Sequence, residues 1–166
     1  MKPLTRILHF VGLAVFVGSI FGHILLGKLG DPEQDLGEFA VLMQAKYSNT
    51  LFLTTPGLLL VVITGVGLMR QEGTSPRKVR WLAAKVILVG LTALNGVFLL
   101  TPLSEEMAAI AGEAVHAGRL SPEFWALKIQ EDIFGALNMA LILLTMSLVV
   151  IKPALKPFHR SRANTV

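Results

Sequence analysis

The sequence predicts an all-α fold: a polytopic membrane four-helix bundle, with a short extra-membrane helix between spans three and four. Three observations predict it. Hydrophobic residues make up 53% of the 166 and charged residues only 16%, too apolar for an ordinary soluble domain. Four apolar segments, at about residues 4–26, 49–69, 79–100 and 123–151, are long enough to cross a ~30 Å hydrocarbon core. Basic residues gather on one side of those segments. The spans and their loops use nearly the whole length, so residues 1–166 read as a single membrane domain with no room for a soluble catalytic one.

Span one opens like a signal peptide, with Lys2 and Arg6 ahead of an apolar run. The run is too long for a typical h-region and no A-x-A-like site follows it, so it reads as a retained anchor. Gly18 and Gly22 form a G-x-x-x-G, a spacing that permits close helix contact. Asp31, Pro32, Glu33 and Asp35 end the helix and solvate the loop. Residues 36–48 read as an amphipathic lead-in to span two, and Pro56 predicts a kink or break inside it. Gly73, Ser75 and Pro76 make a turn. Span three should end near Leu100, with Pro102 just beyond. The alanine-rich stretch 104–117 then reads as a helix outside the membrane. Ser121-Pro122-Glu123 is a helix start, with an N-cap serine, a first-turn proline and an early carboxylate. Span four should stop at Lys152-Pro153, ahead of a basic tail.

Orientation follows from charge. Of the fifteen lysines and arginines, only Lys28, Lys46, Arg119 and Lys128 lie opposite the termini. Of the eleven acids, only Glu72 joins the basic side. Both termini are therefore expected to be cytoplasmic, in a multi-pass protein of a bacterial-type inner (plasma) membrane. The net charge of +4 and pI near 9.7 mark that face, and no nucleic-acid partner is expected because no aromatic-basic motif is present. The absence of cysteine excludes disulfides, thiolate–zinc and iron–sulfur sites, and covalent haem attachment through C-x-x-C-H.

The residues most suggestive of chemistry are His9 and His23, fourteen apart in span one. Fourteen steps of about 100° bring both onto one helix face, ~21 Å apart along the axis. Ionisable side chains inside a membrane are costly and mark functional sites. One reading is b-type haem, with His9 and His23 as axial ligands and Gly12 and Ser19 letting a porphyrin approach. The second ligand would be a methionine, a lysine, a loop histidine, or a histidine from another subunit of a homo-oligomer. The other reading makes both histidines interfacial polar residues bonded to backbone or water. Lys85 reads as a snorkelling lysine, or as the partner of an anion such as a haem propionate, or as a ligand. Asn95 and Asn138 read as interhelical hydrogen-bond glue or as substrate contacts. Met69 and Met146 stand out only by depth. Glu131 and Asp132 either solvate the outer end of span four or admit protons. His116 and His159 fall in aqueous segments.

Several short motifs spread over all four spans carry a family resemblance. They are Leu8-His9 opening span one, Pro56-Gly57-Leu58-Leu59-Leu60 to Thr64-Gly65, Trp81-Leu82-x-x-Lys85, and Lys152-Pro153. The chain resembles the four-span superfamily that contains the HemJ-type protoporphyrinogen oxidases, the CopD domains of copper resistance and uncharacterised integral-membrane relatives. The resemblance implies a bundle that binds haem b, with His9 as the family's first-span histidine and Trp81 and Lys85 as its W-x-x-x-K. Two departures point to an uncharacterised relative instead of a porphyrinogen oxidase. Asn95 stands where HemJ-type proteins carry a span-three histidine, and His23 follows His9 at a shorter interval. The expected function is thus a small haem-b electron-transfer protein, a membrane oxidoreductase working between a quinone or other redox partner and an outer-side acceptor. The alternative is a non-redox membrane protein handling copper or a small solute, or an assembly subunit. In that case the histidines bind a metal ion or only pack.

Overall fold

The computed structural model describes residues 2–76 and 79–151. Lys152-Pro153, His159, and the basic residues Arg77, Lys78, Lys156, Arg160 and Arg162 lie outside the described residues. Among the described residues, six α-helices run as α1 (Lys2–Leu29), α2 (Leu36–Asn49), α3 (Thr55–Gln71), α4 (Arg80–Asn95), α5 (Thr101–Ala117) and α6 (Pro122–Ile151). Single π-helical turns, Thr50–Thr54 and Gly96–Leu100, join α2 to α3 and α4 to α5. The result is four continuous rods, each long and apolar enough to cross a membrane: Pro3–Leu29, Leu36–Gln71, Arg80–Ala117 and Pro122–Ile151. At 1.5 Å per residue the middle two are ~54 and ~57 Å long, well beyond a ~30 Å core, so both project from it at one end. We call that the far end; the start of α1 and the α3–α4 connection lie at the near end.

Each π turn sits just ahead of a proline. Pro56 and Pro102 have no N–H to donate, and each ring would collide with the carbonyl four residues back. Widening the preceding turn by one residue relieves that collision. The Thr55 N–H then bonds Thr50 O, and the Thr101 N–H bonds Gly96 O, both five residues back. The Thr101 hydroxyl also donates to Gly96 O at 2.9 Å. Both turns carry the same pattern, Asn49-x-x-Phe52-x-x-Thr55-Pro56 and Asn95-x-x-Phe98-x-x-Thr101-Pro102. The asparagines act alike. Asn49 Nδ2 donates to Ser19 O of α1 at 2.8 Å, and Asn95 Nδ2 to Phe134 O of α6 at 2.9 Å.

The helix of span three therefore does not stop near Leu100. The stretch expected as a separate helix is α5, a continuation of α4 through the π turn, closed at Gly118, whose φ of 70° suits glycine. The lead-in is likewise α2, capped by Asp35, whose carboxylate accepts the Gly37 and Glu38 N–H groups at 2.7 and 3.0 Å. Helix α6 begins at Pro122 as expected, but Ser121 does not cap it through its hydroxyl. Its carbonyl accepts the Phe124 N–H at 3.2 Å, and its Oγ is buried without a partner.

Packing divides by depth. At the far end α2 lies along α5, with the start of α6 closing a core of Phe39, Met43, Met107, Ala108, Ala111 and Phe124. Phe39 and Phe124 meet edge to face at 5.3 Å. This reads like a small soluble bundle, because projecting apolar residues gain by leaving water. Toward the near end α1 lies along α3 and α4 along α6, while Phe10, Phe21, Phe52, Ile63 and Phe98 remain outward-facing, as lipid contact allows. The close α1–α3 approach does not use Gly18, whose added Cβ would meet nothing within 4 Å. It uses Gly57, where a Cβ would fall 2.8 Å from Phe16 N, and Gly12, where Leu60 and Val61 already stand at 3.1–3.2 Å.

Candidate functional site

Three charged or ionisable side chains from three helices converge just beyond the first π turn. Glu131 of α6 accepts from Lys46 Nζ of α2 at 2.5 Å and from His23 Nε2 of α1 at 3.1 Å. Lys46 is 3% and Glu131 5% exposed. Burial of this pair is tolerable only because each charge has an opposite partner in hydrogen-bond geometry. Thr50, the first residue of the π turn, completes the cluster. Its Oγ1 lies 3.2 Å from both His23 Nδ1 and the Lys46 carbonyl.

That hydroxyl has one proton and two possible acceptors. With neutral His23, Nε2–H serves Glu131 and Thr50 donates to Nδ1. With the imidazolium, Nδ1–H donates to Thr50 Oγ1 and the hydroxyl turns to Lys46 O. Both ring nitrogens of His23 are thus engaged whichever way that proton turns.

A cavity of about 360 Å³ opens beside this cluster, between the two π turns. Thr50 and Thr54 line it from the first turn, Gly96, Val97 and Leu100 from the second. Its inner walls are Phe16, Ile20, Leu58 and Met139, with Lys28, Lys128 and Asp132 at the charged rim. Lys128 bonds Asp132 one turn along α6. Asn138 also lines the cavity; it is 7% exposed, and its Oδ1 has no protein partner. Gly96 and Gly135 line it too, and a Cβ on either would meet nothing within 4 Å. Glycine inside a helix costs about 0.8–1 kcal/mol relative to alanine. Packing does not require these two; what they leave is open volume.

The sequence candidates are separated by this geometry. His23 and Glu131 join the cluster, and Asn138 the cavity. His9 lies nearer the other end, where its Nδ1 is 2.9 Å from Thr64 Oγ1 of α3 and its ring rests over Gly65. Lys85 of α4 is partly buried and within electrostatic reach of His9. Asn95 is the interhelical staple already described. Lys46 and Thr50 were missed as site residues, although the repeated Asn-x-x-Phe-x-x-Thr-Pro pattern marks the turn they flank.

The haem expectation meets a specific obstacle. A ligating imidazole must offer a ring nitrogen to iron, yet both nitrogens of His23 are engaged, by Glu131 and Thr50. The face meant for the porphyrin is also filled: Leu60 and Val61 cover Gly12, while Ser19 is buried and bonds Phe16 O. As arranged, His23 offers no free ring nitrogen to a haem at its own level, apart from any haem at His9. Among the described residues, no group of three or more His, Asp or Glu is placed to hold a metal ion.

The model of one family matches residues 3–153, nearly the whole chain. The chain belongs to the family of predicted integral membrane proteins DUF2269. This agrees with the four long apolar rods and makes it a multi-pass integral membrane protein. No curated protein and no solved structure matches the chain.

Proposed function

We propose that this DUF2269 protein handles a small organic solute in the membrane, and that the cavity between the π turns is where the solute binds. The observation that carries this reading is the cavity itself. It is walled by both helix irregularities, kept open by two glycines that packing does not require, and bounded by a buried Lys46–Glu131–His23 cluster. Its size falls in the ordinary range of small-molecule pockets, roughly 300–1,000 Å³, and its mainly apolar wall with a few convergent polar groups is typical of them. π turns are frequent at functional sites, and these two leave backbone and side chains in irregular positions.

Filling the cavity tests the reading. Met139→Cys should react with a water-soluble thiol reagent, and Gly135→Leu added to it should slow that reaction tenfold or more without loss of helix content. Equal labelling with and without the leucine would contradict the site.

Haem-b electron transfer, and the kinship with HemJ-type oxidases or CopD domains that suggested it, is the weaker reading. It would need His23 to release Glu131 or Thr50. The purified protein is expected to show no reducible Soret band; a Soret band lost in His9→Ala or His23→Ala would return haem to the centre. The charge split supports both termini in the cytoplasm, since the reverse insertion would translocate eleven basic residues. Reporter fusions at the C-terminus and at Asp35 should fall on opposite sides of the membrane.

A further inference from the structure

The cavity has a floor made of apolar contacts between the two helix pairs. Phe16 of α1 and Leu58 of α3 line it from below, and both pack with Ile142 of α6, one turn past Asn138. Val62 and Ala93 complete the layer. All three principal residues are 5–7% exposed. Polar groups resume beneath. Seven residues before Phe16, ~10 Å along α1, His9 bonds Thr64, and Lys85 approaches from the opposite pair. Along the bundle the order is charged rim, cavity with Asn138, whose Oδ1 is unpartnered, apolar layer, then His9 and Lys85.

The helix pairs differ in how freely they can part. Within the α1–α3 pair the seam is tight at Gly57, where an added Cβ would fall 2.8 Å from Phe16 N. Between the pairs, the floor is an apolar surface that can separate without breaking a hydrogen bond. Irregular helices at a solute site, with bundles that rock around it, are how membrane carriers expose one site to two sides.

Resting on the solute-site reading, we propose that Phe16, Leu58 and Ile142 form the closed gate of a path through the bundle, leading from the cavity to the His9–Lys85 tier. The solute it passes is a small organic molecule, largely apolar, with polar atoms at its ends and no net charge. Inside the cavity Lys46 is matched with Glu131 and Lys128 with Asp132, Lys28 stands at the rim, and Asn138 offers a neutral hydrogen-bonding group at depth.

The chain has no cysteine, so single-cysteine variants report one position each. The probe is a membrane-impermeant cationic methanethiosulfonate, applied to sealed vesicles of each orientation. Met139→Cys should react from the far-end side only, and Lys85→Cys from the near-end side only. Adding Phe16→Ala or Ile142→Ala to Met139→Cys should raise near-side reactivity at least tenfold, whereas Phe16→Leu, which keeps apolar bulk, should not. A Met139→Cys that reacts from neither side sinks the solute site itself. One that keeps far-side reactivity but gains no near-side reactivity in either alanine variant sinks only the gate. Near-side reactivity already present without a gate substitution, or a Lys85→Cys closed to the near side, also overturns the gate.

Discussion

Lys46→Met is expected to destabilise the folded protein by about 3–5 kcal/mol, the usual cost of leaving one member of a buried ion pair without its partner. Glu131 would keep only the His23 bond, and its second oxygen would face apolar surroundings with no donor. The physical claim is that loss of compensation, not loss of attraction, sets the size of the effect. Lys46→Met combined with Glu131→Gln removes both charges and should recover most of the loss. Thermal or denaturant unfolding in one detergent, applied to the two single variants and the double, reads the coupling directly. A Lys46→Met protein as stable as the parent would mean that the pair is solvated and the cluster is not a buried one.

Gly57→Ala is the second large effect, at about 1–3 kcal/mol, with Gly57→Leu larger still. Its Cβ would stand 2.8 Å from Phe16 N and 3.1 Å from Phe16 Cα, which are backbone atoms that cannot rotate aside. Helix α1 must move away from α3, and the floor of the cavity moves with it. Gly18→Ala is the matched control, since nothing lies within 4 Å of its added methyl, and it should be close to neutral. Equal behaviour of the two variants would show that the α1–α3 seam is looser than described.

The four rods were legible because a membrane imposes a coarse rule: length and apolarity suffice to find a span. The continuity of α4 into α5 was not legible from Pro102 alone, because a proline ordinarily argues for a helix end. The π turn lets the chain accept the proline and continue, and its mark is a pattern shared with the Pro56 region, visible only when the two are set side by side. The G-x-x-x-G in span one is met by a neighbouring helix only at Gly22, which faces Asn49. Small residues permit contact without directing it, and α3 approaches the face that carries Gly12 while Gly18 meets nothing. His23 was found by its cost in an apolar segment. Lys46 was not, because within an amphipathic lead-in a lysine reads as solvated. It is the fold of α2 against α5, with Glu131 arriving from α6, that buries it. The aligned histidine pair shows the limit of periodicity: both rings occupy one face of α1, but they answer to different partners, Thr64 at one level and Glu131 with Thr50 at the other.

The site proposed between the two π turns holds a small molecule. Its most direct measurement is the small-molecule content of the protein taken from its own membrane in lipid nanodiscs, read by mass spectrometry for the parent and for Gly96→Leu/Gly135→Leu. A compound enriched with the parent and lost from the filled variant is expected, while both retain the same helix content and lipid complement. The same inventory in both proteins would contradict it.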